Sequence, residues 1–596
     1  MRDVWDRIAA LPEEKRVLLI RQLQERRMTT EASRDQYDVA IMGGGLAGLT
    51  LAIQLKKTRP ATAIVVIERQ EHPVPEAAHK VGESTVEIGA HYLRDILALE
   101  EHLQTQQLIK FGLRFFFSTD DKRDITHRVE VGHSVPLSRK LDSYQLDRGR
   151  LENMLSDELP RQGILLLDGS KVQRISLRPH RDFHRLQVLH QGREREIEAR
   201  WAVDASGRSS LLKRQLGLAK KVSHAANAAW FRIGYPININ EWSTDPDWLT
   251  RICEGERSLS TNHLMGPGYW VWLIPLASGS ISIGIVTDAS MYPFGEINRF
   301  EQALAWLRQH EPQCATEVEK HRDKIQDFRV MKDYAYSCQQ VYSHERWCLT
   351  GEAGVFLDPF YSPGSDMIAI SNGLVCDLIT RDLNGEDIQS RTLVHDKLFL
   401  SLNGIWLAIY EQQYPLMGNP RVMTTKIIWD TAFYWGVFGL LYFHDTFLRL
   451  ADSPGVAANL SRLTILSNRV QAFFREWHML DQPAASDTFV DMYKPLDFMV
   501  KLHTGMIAEL SNAQLETQFA VNVRLFERLA GQIISTVIEA HADNFEHEAM
   551  LSQIQRWQTE PFLAELIALY RRESRANPID GSWIMVGQRK KQEITR

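Results

Sequence analysis

Several classes of protein are set aside by what this chain lacks. It has five cysteines in 596 residues (Cys253, Cys314, Cys338, Cys348 and Cys376), none in a CxxC pair or at metal-ligand spacing. That excludes a disulfide scaffold and a zinc ribbon, and it fits a reducing, cytoplasmic setting. No apolar run reaches the roughly 20 residues needed to span a bilayer, and the charged N-terminus carries no apolar h-region, so neither a membrane span nor a signal peptide is expected. The net charge of −6 is spread along the chain without a basic tract, which argues against nucleic-acid binding. There is no internal repeat and no low-complexity tract. What remains, 44% hydrophobic and 24% charged, is ordinary globular composition, long enough for more than one domain.

The most informative stretch is Asp38-Val39-Ala40-Ile41-Met42-Gly43-Gly44-Gly45-Leu46-Ala47-Gly48-Leu49. It reads as a buried strand, a tight turn and a helix. Gly43, Gly45 and Gly48 make GxGxxG: one glycine for the turn, one for close approach of a pyrophosphate, one for helix–strand packing. A second strand, Ala63–Ile67, ends on Glu68, 20 residues after Gly48, where a carboxylate would take ribose hydroxyls. The helix N-terminus would meet the phosphates with free N–H groups.

Further along, Gly82-Glu83-Ser84 is either a turn bringing backbone to a cofactor or the capped start of a helix. Lys110-Phe111-Gly112-Leu113-Arg114-Phe115-Phe116-Phe117 reads as an aromatic strand opening on a lysine. That lysine is either a desolvated amine of lowered pKa or a surface side chain whose stem is buried. Tyr144–Arg150 is expected to start a helix whose Arg148 meets a phosphate. Trp201–Asp204 ends a strand in the Gly207 turn, and Trp347–Thr350 leads into Gly351-Glu352. Residues 386–596 read as mainly helical, with an aromatic helix near 427–443 and amphipathic helices near 460–478, 513–540 and 560–573.

Two motifs narrow the class. Trp270-Val271-Trp272-Leu273-Ile274-Pro275 matches WxWxIP, and Phe356-Leu357-Asp358-Pro359-Phe360-Tyr361-Ser362-Pro363-Gly364 matches FxxPxxSxG. With Lys110 in a K-x-G-x-x-F setting, residues 37–385 resemble the flavin-dependent halogenases, relatives of the FAD-dependent monooxygenases. The resemblance implies an α/β (α+β) fold: a Rossmann-type FAD-binding domain with an inserted β-sheet platform over 37–385, a helical C-terminal domain over 386–596 and an N-terminal helical extension over 1–36. It implies FAD, used as FADH2 from a separate flavin reductase, with O2 and chloride or bromide. Cofactor contacts fall on Gly43, Gly45, Gly48, Glu68, Gly82, Glu83, Ser84, Arg148, Asp204, Gly207, Gly351 and Glu352, the last in place of the usual Asp.

In such enzymes hypohalous acid made at the flavin crosses to a lysine, here Lys110, which hydrogen-bonds it or forms a haloamine beside the substrate. Lowering of the lysine pKa favours the neutral amine for either role. Trp270, Trp272, Pro275, Phe356 and Pro359 would form the barrier and tunnel, with Tyr361 and Ser362 beside the reacting ring. Tryptophan halogenases have glutamate where this chain has Tyr361, which favours phenols, pyrroles or carrier-tethered rings over free tryptophan. Pro363 supplies no N–H, so Gly364 and Ser365 are left as halide donors. An FAD-dependent hydroxylase or dehydrogenase, and a catalytically idle flavoprotein scaffold, are the alternatives. Leu11–Leu23 resembles short helices that introduce modules of peptide-synthetase assembly lines.

Overall fold

The computed structural model describes residues 35–586, except 77–79, 119–121, 137, 179–182, 482–486, 542–547 and 577. The proposed N-terminal docking helix lies outside the described residues. The strand Gln36–Met42 enters Gly43-Gly44-Gly45 and continues as the helix Leu46–Thr58. Its flanks are parallel: Arg193–Asp204 on one side and Ile64–Ile67 on the other. Trp347–Leu349 and Leu165–Leu167 extend the parallel run at its two ends. The stretches 39–42, Ile64–Ile67 and 201–203 are apolar throughout and buried, as expected of parallel strands covered on both faces.

The second sheet is the platform. Its strands run in the order Ile325–Met331, Ala226–Ile233, Ile281–Asp288, Tyr269–Pro275, Thr261–Gly266, Leu113–Phe117, Val129–Gly132 and Phe489–Asp491. Most pairs are antiparallel, but Thr261–Gly266 runs parallel to Leu113–Phe117. The last strand comes from the otherwise helical C-terminal part and pairs in parallel with Val129–Gly132. One apolar core runs from the glycine-loop strand through the C-terminal helices. A separate cluster fills the outer face of the platform beneath the helices Phe300–His310 and Pro312–Lys320.

Three local expectations change. Lys110 does not open the aromatic strand: it ends a short strand, Leu108–Lys110, because Gly112 turns through φ +68° before Leu113–Phe117 begins. Tyr144 sits in a strand, Ser143–Gln145, and the helix starts at Arg148. Ser84 caps nothing; the next helix starts at Glu87, and the Ser84 hydroxyl bonds Thr261 Oγ1 at 2.8 Å. The expected C-terminal helices are present as Pro454–His478, Asn512–His541 and Pro561–Glu573. Among the described residues no helix is long and apolar enough to cross a membrane.

Candidate functional site: two cavities and one wall

The larger cavity, about 610 Å3, opens over the glycine loop. Each glycine there has a separate reason. Gly43 has φ +120°, and a Cβ on it would lie 2.2 Å from Ala205 O. A Cβ on Gly48 would lie 2.0 Å from Gly43 O, so this glycine permits the helix to pack on the strand. A Cβ on Gly45 would meet no protein atom closer than Lys80 Nζ at 3.8 Å. Nothing inside the fold demands glycine at 45; the space it leaves belongs to the cavity, beside the free N–H groups of the helix start. Glu68 also lines this cavity, and its Oε2 accepts from Gly44 N at 2.6 Å.

The rest of the lining is cationic at one end and acidic at another. Arg148 donates to Val81 O at 2.7 Å and to Glu152 Oε1 at 2.6 Å, while its buried Nε has no partner. Lys80 also pairs with Glu152. Gly207, Gly351 and Glu352 face the cavity. Burial pushes the Glu352 carboxyl up, against the pull of Arg208, Arg148 and Lys80. An orphaned guanidinium nitrogen, a Cβ-sized gap above a helix start and a buried carboxyl suited to polyol hydroxyls fit a flavin dinucleotide. The volume lies in the ordinary range for cofactor sites, about 300–1,000 Å3.

Two expected contacts are reassigned. Asp204 does not line the cavity; its carboxylate accepts from Ser206 N at 3.0 Å and Leu212 N at 2.7 Å and shapes the loop that does. Glu83 touches the cavity, yet its carboxylate is bound to Arg232 Nε at 2.7 Å, with Asp327 on the same guanidinium at 2.6 Å. An ion pair this buried is fixed in place, so position 83 offers backbone rather than a free side chain. Gly82, at φ +93°, and Ser84 complete that edge of the cavity.

The smaller cavity, about 120 Å3, lies beyond. It is a little below the roughly 150 Å3 that takes a benzene ring. Lys110 lines it, buried, with Nζ donating to Thr85 O at 2.6 Å. Burial lowers the amine to about 7, although Glu87 and Asp366 pull the other way. Asp366, on the same cavity, is raised to about 8 by burial, and its carboxyl receives Tyr434 Oη at 2.7 Å and Gly89 N at 2.8 Å. Glu87 accepts from Trp435 Nε1 at 3.0 Å and lies 2.9 Å from His503 Nε2. Tyr434 and Trp435 belong to a π-helical turn, Tyr434–Gly439, that interrupts the aromatic helix expected from the sequence. Such turns often sit at functional sites.

One segment walls the two cavities apart. Ser362, Gly364 and Ser365 face the larger cavity, Tyr361 and Asp366 the smaller, and Pro363 both. This alternation needs backbone that L-residues avoid: Tyr361 and Ser362 sit at φ +69° and +60° in succession. Strain of this kind costs of order 1–3 kcal/mol per residue and persists only where surroundings impose it. Rings thicken the wall. Phe115 on one side stacks on His263 on the other at 4.6 Å, and Phe360 packs on Phe115 at 5.6 Å and Trp270 at 5.2 Å.

Trp270, Trp272, Phe356 and Pro359 all line the larger cavity. The tryptophan pair therefore faces the larger cavity, with Trp270 packed on Phe360 of the wall, and Pro275 lines neither cavity. Pro363 occupies the N-cap position of the helix Gly364–Leu383 with φ −75°. A helix needs no N–H at its entry, so the proline removes no internal bond and leaves the first-turn N–H groups of Gly364 and Ser365 at the larger cavity.

Residues 36–279 match the family described as FAD binding domain. Flavin-dependent halogenase chlA of Dictyostelium discoideum is 26% identical over 432 residues, covering 68% of this chain and 70% of that protein. The 1H-pyrrole-2-carbonyl peptidyl-carrier-protein chlorinase of Pseudomonas fluorescens is 25% identical over 427 residues, 69% of this chain and 89% of that one. The chain is an FAD-dependent enzyme related to the flavin-dependent halogenases. In fold it superposes on crystalline halogenase PltM with a TM-score of 0.62 at 18% identity, over 81% of this chain and 98% of that one. What sequence reading missed in this halogenase-like enzyme is the far wall of the small cavity: Asp366, Asp430, Tyr434, Trp435 and His503. Asp430 stood out only as a charge inside an apolar run, and nothing in the spacing of the others assigns them to one cavity.

Gly45→Val places a branched side chain where no protein atom competes for the space. The fold should be kept, with an unchanged melting temperature for the apoprotein, while FAD binding measured by titration calorimetry is lost. Equal FAD affinity in the variant would remove the glycine loop from the binding site.

Proposed function

We propose that the chain halogenates an electron-rich aromatic ring, a phenol or pyrrole, at Lys110. The observation that carries this reading is a buried amine of lowered pKa on an aromatic-lined cavity, separated by a single loop from a cavity that fits FAD. A substrate in the smaller cavity cannot lie against the flavin, so an oxidant has to pass the wall. Bound and reduced, FAD supplies activation of dioxygen and oxidation of chloride or bromide to hypohalous acid. Gly43, Gly45 and the helix start bind the pyrophosphate, Glu68 orders the loop, Arg148 offers its free Nε, and Glu352 takes ribityl hydroxyls. Gly364 and Ser365 N–H groups, at the positive end of a 20-residue helix, hold the halide. A separate reductase provides FADH2. The carrier-linked pyrrole in the printed name of one relative supports a tethered form of the substrate.

At Lys110 the halogen–oxygen bond of hypohalous acid breaks, a nitrogen–halogen bond forms, and the amine proton leaves with the hydroxide as water. This requires the free amine. Burial at 5% exposure lowers the pKa to about 7, so near neutrality about half the protein holds the amine unprotonated. Glu87 and Asp366 oppose that loss of a proton, and the imidazole of His133, lowered to about 3 by burial, is neutral there.

Four outcomes follow from these assignments. Lys110→Ala should still consume FADH2 and O2 in the presence of chloride and release hypochlorous acid to a soluble trap, with no chlorinated ring; loss of flavin oxidation itself would make the lysine structural. Since the free amine grows as pH rises through about 7, single-turnover halogen transfer should rise over the same interval. Lys110→Arg, whose guanidinium stays charged, should lose both the rise and the product. For the halide site, Pro363→Thr adds one N–H at the wall. A hydrogen bond to a charged group is worth about 1.5–3 kcal/mol, so the halide needed for half-maximal chlorination should fall roughly ten- to hundredfold. Flavin oxidation indifferent to chloride and bromide in both proteins would instead favour hydroxylation by the same fold.

A further inference from the structure

Substitution on an aromatic ring releases a proton, and the place beside the ring where tryptophan halogenases have a glutamate is a phenol here, Tyr361. Its surroundings supply the missing carboxylate from another part of the chain. Tyr361 Oη donates to Asp430 Oδ2 at 3.1 Å, and Asp430 projects from the helix Pro420–Phe433. The same oxygen accepts from Lys426 Nζ at 2.8 Å. Asp430 Oδ1 accepts from Gln471 Nε2 at 2.6 Å, and Gln471 Oε1 takes a second bond from Lys426 at 2.5 Å. Tyr361 and Asp430 both reach the smaller cavity, whereas Lys426 lies behind them, wholly buried.

A buried Lys–Asp pair is poor value as a stabilising device, because desolvation offsets most of the attraction and apolar residues of like volume would serve as well. Here it backs the hydroxyl of a residue that a strained two-residue turn places on the cavity lining. Burial lifts the Asp430 carboxyl above its ordinary range while Lys426, Gln471 and Tyr361 hold it back, which suits a group that takes up a proton and returns it.

Resting on the halogenase reading, we propose that Tyr361 and Asp430 form a proton relay that draws the proton from an O–H or N–H on the substrate ring, with Lys426 balancing the charge. The ring's proton passes to the Tyr361 oxygen as Tyr361's own proton passes to Asp430. The activated ring carbon forms its bond to the halogen, the nitrogen–halogen bond at Lys110 breaks, and that nitrogen takes a proton from water. The C–H proton at the halogenated carbon moves to the stripped oxygen or nitrogen, restoring aromaticity. Asp430 then gives its proton to the hydroxide left by the water. The relay selects rings with an ionisable hydroxyl or ring nitrogen over equally electron-rich ethers.

Resorcinol and 1,3-dimethoxybenzene test this, since they share a substitution pattern and only the first has a proton to give before the carbon–halogen bond forms. The holoenzyme with FADH2, O2 and chloride is compared with Tyr361→Phe and Asp430→Asn. The ratio of resorcinol to dimethoxybenzene chlorination should fall at least tenfold in each variant, and Asp430→Glu, which keeps the carboxylate, should restore it. An unchanged ratio, or equal losses on both rings, overturns the relay by making the contact structural. If the native protein chlorinates neither ring and its flavin oxidation ignores chloride, the halogenase reading itself falls, and the relay with it.

Discussion

A single buried carboxylate holds the wall between the two cavities. Asp358 accepts from His224 Nε2 at 2.6 Å, Tyr334 Oη at 2.9 Å, Tyr414 Oη at 2.6 Å and Phe360 N at 2.9 Å. Tyr414 also receives the Trp270 indole N–H at 3.0 Å, and Tyr410 Oη clamps Phe360 O at 3.0 Å. Ser362 N closes the loop onto Pro359 O at 2.9 Å. With this many donors converging, the left-handed pair at 361 and 362 is forced rather than chosen. The consequence is positional: alternate residues of one loop serve two chambers.

The partition also explains where the electrostatics concentrate. On the FAD-sized side, Arg148 and Lys80 converge on the buried Glu152. On the other side, Lys110, Asp366 and Asp430 are packed among rings, where loss of solvation dominates and moves their proton affinities toward neutrality, while His503 and Lys110 hold the Glu87 carboxyl below its ordinary value. An anion is favoured on one side of the wall and neutral, proton-exchanging groups on the other. That ordering suits a reaction whose halogen begins as a halide ion and ends on an uncharged carbon.

The cofactor half was legible in the sequence because its constraints are local. Gly43 and Gly48 are dictated by atoms within the same βαβ unit, and Glu68 by a strand of four residues. On the smaller cavity only the residues named by a motif stand out in the sequence, Lys110 and Tyr361, and their neighbours there do not. Asp366 lies 256 positions from Lys110, and Asp430 lies 69 from Tyr361; neither distance leaves a periodic trace. Glu83 and Asp204 misled for a related reason. Acidic residues beside a turn look free to bind a ligand, and only the fold reveals that Arg232 and the Ser206–Leu212 loop already occupy them. Lys110 seemed to begin an aromatic strand because a one-dimensional run hides the break at Gly112.

The strand Phe489–Asp491 gives the architecture room to diversify. It is joined to Val129–Gly132 by main-chain pairing, which places few demands on side chains. Met492 and Tyr493, immediately after it, lie on the smaller cavity. The chamber's outer wall is thus stitched to the platform through backbone, leaving the adjoining side chains to vary without dislodging the seam. A lineage can exchange those side chains while the glycine-loop half of the fold stays as it is, so the two chambers can diverge independently.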